Sequence, residues 1–242
     1  MRRVAIVTGA SRGIGRAVAE YLAGDYDLQL TASNERTLLE TKREIGLTHP
    51  DCQIAIKPLD LRDPRVIEHE IEEWIKPLTR VDLLFNNAGV FHSGTETLDF
   101  QAYVEMVSIN QLAAFMFLKQ VTRLMKAQRS GHIFNVSSTR GVGAYEEEGA
   151  YCSTKFALNG LNGALFLDLA EYNVKVTSIC PGYVNTDMPG EAAVKDEERI
   201  PLSDVVKTVE YVLSLSPYTG VEKIVLSCHA ELRESRIARL GP

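Results

Sequence analysis

The chain has 242 residues, 45% of them apolar and 24% charged, and a formal net charge of −6. This fits one soluble α/β domain able to bury a sizeable core. The acidic balance argues against nucleic acid as a partner, and no apolar run approaches a membrane span or the core of a secretory signal.

Apolar strand-like runs alternate with helical stretches along the chain. Residues 4–7 (Val-Ala-Ile-Val) read as a first strand, followed by the turn Thr8-Gly9-Ala10-Ser11-Arg12-Gly13-Ile14-Gly15 and a helix over 16–23. A second strand at 28–32 precedes an amphipathic helix at 35–45, and a third at 54–56 precedes a helix at 63–75 that opens on Asp63-Pro64. The fourth strand, 81–85, ends in Asn86-Asn87-Ala88-Gly89, and a long helix is expected over 99–127. Strand 131–136 leads to a helix at 150–171, interrupted in sequence by the turn-like pairs Asn159-Gly160 and Asn162-Gly163. Strand 174–179 closes on Pro181-Gly182, Ser203 is expected to cap a helix to residue 213, and 223–226 is a last strand. This alternation predicts a single domain over 1–242, a doubly wound parallel sheet of Rossmann type with helices on both faces. Ligands of such sheets bind beyond the carboxyl ends of the strands, where Gly9, Asp60, Asn87, Ser138 and Pro181 all fall.

The glycine-rich turn fits two chemistries. Glycines let backbone amides approach a phosphate at the start of a helix. Gly9-x-Ser11-x-Gly13 also matches the nucleophile elbow of an α/β hydrolase. The elbow needs an earlier strand and loop to supply part of the oxyanion hole, and Ser11 has only one strand before it. The nucleotide reading is therefore the better one. Cys52, Cys152, Cys180 and Cys228 are far apart, show no CxxC spacing and are expected to be reduced, partly buried residues of a cytoplasmic protein. The five histidines form no HExxH or comparable pair, so no metal is expected.

Tyr151 and Lys155 lie four apart, on one face of a predicted helix, thirteen residues after Ser138 at the end of a strand. With Asn110, the glycine turn, Asp60-Leu61, Asn86-Asn87-Ala88-Gly89 and Pro181-Gly182, they occur in the order of the short-chain dehydrogenase/reductase family. The chain resembles that family from residue 4 to about 188, and its general layout is similar to that of 3-oxoacyl-carrier-protein reductases. The resemblance implies hydride transfer between a nicotinamide cofactor and a carbonyl or alcohol, with Asn110, Ser138, Tyr151 and Lys155 as the catalytic tetrad. A phenol with a pKa near ~10 is a poor base at neutral pH, and a nearby ammonium favours its ionised form. Tyr151 would exchange the proton of the substrate oxygen, Ser138 would hold that oxygen, and Asn110 would hold a water behind Lys155. Lys155, with Tyr151, would also contact the cofactor ribose.

By the same resemblance Gly9, Ser11, Arg12, Gly13, Ile14 and Gly15 would cradle the dinucleotide, Asp60 and Leu61 the adenine, and Asn87, Ala88 and Gly89 the adenosine. Pro181, Gly182, Val184 and Thr186 would line the nicotinamide. The second strand ends Thr31-Ala32-Ser33-Asn34 with no carboxylate for a ribose 2′-hydroxyl, and Arg12 lies where a 2′-phosphate would pass. Ser33 and Asn34 would then border that phosphate, and NADP is favoured over NAD. Arg36 could reach back to the same place. A short substrate lid is expected at about 187–201, mostly polar, with Met188 and Ile200. Tyr145 and Glu146-Glu147-Glu148 are expected near the pocket mouth, and Lys119, Arg123, Lys126 and Arg129 form a basic stripe that could meet an acidic carrier protein. The tail lacks the family's frequent Asp-Gly-Gly ending, which favours a homodimer, through the helices around Asn110 and Lys155, over a homotetramer. A dinucleotide-sensing regulator on the same fold is the non-enzymatic alternative; retention of the whole tetrad weighs against it.

Overall fold

A computed structural model describes residues 2–188 and 194–233. Seven strands, β1 (Arg3–Thr8), β2 (Tyr26–Ala32), β3 (Ile54–Pro58), β4 (Leu83–Asn86), β5 (Gly131–Val136), β6 (Val174–Pro181) and β7 (Lys223–Leu226), form one parallel sheet in the order β3-β2-β1-β4-β5-β6-β7. The order reverses between β1 and β4, which opens a crevice at their carboxyl ends. Helices α1 (Gly13–Leu22), α2 (Glu35–Thr48), α3 (Pro64–Ile75), α4 (Phe100–Val107), α5 (Ala114–Gln128), α6 (Gly149–Asp168) and α7 (Leu202–Ser214) flank it.

The central strands β1 and β4 are mostly apolar because both faces of the sheet are covered there. In β1, Ala5 and Val7 point to a core shared with Val18, Leu22, Leu38 and Val209 of α1, α2 and α7. Ile6 points the other way, to Ile71 of α3 and Phe117 and Val121 of α5. The same alternation divides Phe85 from Leu84 and Phe134 from Ile133.

Four departures from the sequence reading have local causes. The helix expected over 99–127 is three segments: α4, a π-helical turn at Ser108–Ala113, and α5. Asp99 is the cap of α4, accepting from the Gln101 and Ala102 amides. The pairs Asn159-Gly160 and Asn162-Gly163 do not interrupt α6, because both asparagines turn inward. Asn159 donates to Gly141 O, and Asn162 accepts from Asn135 and donates to Glu222 O. Strand β6 runs on to Pro181, held by pairing with Leu226 of β7. Helix α7 starts at Leu202 behind an extended Pro201, so Ser203 lies inside it and is not its cap.

Candidate active site

The carboxyl ends of the strands enclose a cavity of about 440 Å³, a size typical of small-molecule sites. One end is the β1–α1 turn. Gly9 and Gly13 adopt positive φ (64° and 53°), and a Cβ on Gly9 would lie 2.8 Å from Asn87 Nδ2. A Cβ on Gly15 would overlap Gly9 O, so this glycine lets α1 pack on the turn and stays behind the cavity wall. Arg12 occupies the N-cap of α1 without a side-chain capping bond, leaving first-turn amides facing the cavity end. Gly9, Ser11, Arg12, Gly13 and Ile14 all line the wall. This cradle fits the pyrophosphate of a dinucleotide.

Ser33, Asp60, Leu61, Asn87, Ala88 and Gly89 continue the wall. Arg62 grips both oxygens of Asp60, and this bond holds the Asp60 carboxyl below its usual range. Asn34 is outside the cavity lining: its side-chain Oδ1 accepts from Thr37 N and caps α2. Arg36 does not reach back either, since it pairs with Glu40 one turn along α2. Arg12 donates to Asp187 O (3.2 Å) and keeps its side chain at the cavity edge.

At the other end α6 presents Tyr151 and Lys155, both buried, on its inner face. Lys155 Nζ lies 5.6 Å from the Tyr151 ring centre and donates to Val136 O (3.0 Å). Burial pushes the Lys155 pKa down to about 8. The Tyr151 ring meets Phe91 edge to face at 4.9 Å. Ser138 Oγ accepts from Arg140 N and donates to Pro181 O, which sets it on the same wall. Asn110 lies in the π-helical turn, behind the cavity. Its amide brackets Val90, accepting from Val90 N and donating to Val90 O (both 2.9 Å), and also donates to Thr154. A Cβ on Gly89 would stand 3.3 Å from Asn110 Oδ1 and 3.5 Å from Lys155 Nζ, so the three positions are neighbours. Pro181, Gly182, Val184 and Thr186 line the floor, and Thr186 packs close to Gly13.

Of the expected lid, Asp187 and Met188 line the cavity, while residues 189–193 lie outside the described residues. Ile200 is not a lid surface. It turns with Val184, Val194 and Val205 into a third apolar cluster. The acidic triplet divides: Glu146 and Glu147 are exposed, and Glu148 lines the cavity paired to Arg140. In the basic stripe Lys119 pairs with Glu68, and Lys126 and Arg129 lie over the Tyr172 ring.

Sequence reasoning missed Arg62, Phe91, Glu105, Arg140 and Tyr183, all in the wall. Arg140 is the least expected: it sits two residues past Ser138 and is 4% exposed. Burial opposes its charge, yet the bonds and charges of Glu148, Tyr183 and Glu231 raise its pKa above the usual guanidinium value. The four cysteines are buried free thiols. Among the described residues no helix is long and apolar enough to cross a membrane, and no group of three or more His, Cys, Asp or Glu side chains could hold a metal.

This fold, with a glycine cradle at one end of its crevice and a tyrosine–lysine pair at the other, defines a dinucleotide-binding oxidoreductase of the α/β type. The family profile described as short chain dehydrogenase matches residues 3–197, and the chain belongs to that family. It is 35% identical to the crystal structure of a betaketoacyl-ACP reductase from Bacteroides thetaiotaomicron, which it matches with a TM-score of 0.80 over 96% of this chain and 99% of the other. It also resembles an alcohol dehydrogenase from the archaeon Thermococcus sibiricus, crystallised with 5-hydroxy-NADP (26% identity, TM-score 0.83, 93% and 95% covered). Among curated proteins, a 3alpha-hydroxysteroid dehydrogenase of Mediterraneibacter gnavus is 32% identical over 199 residues, 80% of this chain and 79% of the relative.

Proposed function

We propose that the protein is an NADP-dependent reductase that interconverts a ketone or aldehyde and an alcohol in the cytoplasm. The observation that carries this reading is the placement of Tyr151, Lys155 and Ser138 on one wall of a cavity whose far end is the glycine cradle. NADPH, when bound, supplies the hydride. Tyr151 gives the proton to the developing alkoxide, and the Lys155 ammonium stabilises the phenolate that remains. Ser138 donates a hydrogen bond to the reacting oxygen and orients it. Asn110 fixes Val90 and holds a water behind Lys155; the Tyr151 phenolate then takes a proton from the Lys155 ammonium, and that water returns one from solvent to Lys155. Gly9, Ser11, Gly13, Ile14, Asp60, Leu61, Asn87, Ala88, Gly89, Pro181, Gly182, Val184 and Thr186 bind the cofactor along the crevice.

The preference for NADP rests on charge. Arg12 and Ser33 border the cavity beside the end of β2, where no carboxylate opposes a 2′-phosphate. The relative crystallised with an NADP derivative supports the same choice. A second reading, reduction of a 3-oxoacyl thioester on a carrier protein, is supported by the similarity to the Bacteroides reductase. A homodimer through α5 and α6 is supported by Phe115, Phe156 and Leu167, large apolar side chains exposed on those helices.

The test is Tyr151→Phe on a panel of carbonyl substrates that includes an acyl-carrier-protein thioester. Turnover should fall by at least ~1,000-fold with NADPH affinity little changed, given the ~100- to 10,000-fold contribution of a general acid. Turnover that survives the substitution refutes the mechanism.

A further inference from the structure

A buried guanidinium joins the loops around the tyrosine–lysine pair. Each of the five N–H groups of Arg140 has an acceptor. Nε and Nη2 form a fork to the Glu148 carboxylate (2.7 and 3.2 Å), Nη2 also donates to Tyr183 Oη (2.7 Å), and Nη1 donates to Thr139 Oγ1 (3.1 Å) and to Glu231 Oε1. Its Cζ lies 4.0 Å from the Tyr145 ring centre and 4.5 Å from that of Tyr183. With every donor engaged and two carboxylates against it, this arginine has nothing left with which to bind an anionic substrate.

What it touches is more telling. Glu148 is the N-cap residue of α6, the helix that carries Tyr151 and Lys155. Tyr183 follows Pro181-Gly182 on the floor of the cavity. Glu231 comes from the helical turn after β7, also accepts from Thr139 Oγ1 and Tyr145 Oη, and stands so close to Gly182 that a Cβ there would overlap its Oε2. Arg140 itself lies on the loop that presents Ser138, and its own amide donates to Ser138 Oγ.

Building on the reductase reading above, we propose that Arg140 is a positioning residue for hydride transfer. By bonding Glu148, Tyr183 and Glu231 at once, it sets the start of α6, the Ser138 loop and the Pro181-Gly182 floor at fixed distances from one another. The C-terminal turn is thereby part of the active-site support. Small misplacements of reacting groups are costly to the rate, so the effect should appear in kcat and spare cofactor affinity.

Arg140→Met alone would strand two buried carboxylates, so the decisive variant is R140M/E148Q/E231Q, which leaves no charge unpaired. It should keep the wild-type circular dichroism spectrum and an NADPH Kd within threefold of wild type. Its kcat should drop at least fivefold, and the isotope effect with deuterated NADPH should rise as chemistry becomes limiting. A smaller drop in kcat, or an equal loss of NADPH affinity, overturns the proposal and leaves the reductase reading standing. Should the triple variant not fold, Arg140→Lys decides by the same thresholds, because it keeps the charge but cannot span three loops. Wild-type protein that turns over no carbonyl or alcohol on the panel refutes the reductase reading, and this proposal with it.

Discussion

Lys155 is buried, and burial of its ammonium should make stability depend on pH. Its folded pKa is about 8, against 10.5 for an unburied lysine, and the cause is burial. A base with a depressed folded pKa binds its proton more weakly when folded, so the protonated form favours unfolding. The penalty is full below about pH 8 and vanishes as pH rises past the unfolded value. The full shift corresponds to about 3 kcal/mol, of which about 2 kcal/mol should be recovered between pH 7 and pH 9.5. Comparing Tyr151→Phe with Tyr151→Phe/Lys155→Met by urea denaturation isolates the lysine, because the phenol beside it is absent from both and other groups cancel. Relative to the double variant, the single variant should gain about 2 kcal/mol across that range. Lost hydrogen bonding to Val136 O changes the offset between the two curves and not their slope. A difference independent of pH would show that Lys155 is not desolvated and would refute the argument.

Two further predictions test the cradle. Arg12→Ala should weaken NADPH binding by about 10- to 100-fold, the worth of about 1.5–3 kcal/mol for a charged hydrogen bond, and leave NADH nearly unaffected; equal losses for both, measured by fluorescence titration, would remove the case for NADP. Gly15→Ala should cost about 1–3 kcal/mol of stability because its Cβ meets Gly9 backbone that cannot yield. Gly46→Ala in α2, where nothing lies within 4 Å, should instead stabilise by up to about 1 kcal/mol, so thermal melts of the two should move in opposite directions.

The elements were legible where the chain carries its own local signal. The runs at 131–136 and 223–226 match β5 and β7 residue for residue; β5 is buried along most of its length, and β7 is half-buried on the face of Ile224 and Leu226. Boundaries failed where a tertiary contact extends an element: β6 reaches Pro181 only because β7 pairs with it there. The π-helical turn around Asn110, whose side chain brackets Val90 across a loop, has no signature in the local sequence pattern. In the site, the glycine turn and the Tyr151–Lys155 spacing were readable as short-range patterns. Arg140 and Glu231 were not, because they lie 91 residues apart and no periodicity joins them; Glu148 falls in the acidic triplet expected near the pocket mouth and does line the cavity. Asn34 shows a further limit of position in sequence: its side-chain oxygen is spent on capping its own helix.

One hydroxyl ties the strand ends together at the crevice between β1 and β4. The ladder between these strands ends at Val7 opposite Phe85, and beyond it Thr8 Oγ1 accepts both the Asn87 and Ala88 amides (2.8 and 2.9 Å). The Asn87 side chain answers with bonds to Thr8 O and Gly9 O. Valine would fill the same volume at position 8 and leave two amides without an acceptor, at roughly 1–3 kcal/mol for each that stays dry. Serine would keep the acceptor and lose only a methyl. Over long divergence, therefore, this fully enclosed position should drift between the two hydroxylated residues and resist the aliphatic ones that its surroundings would otherwise welcome.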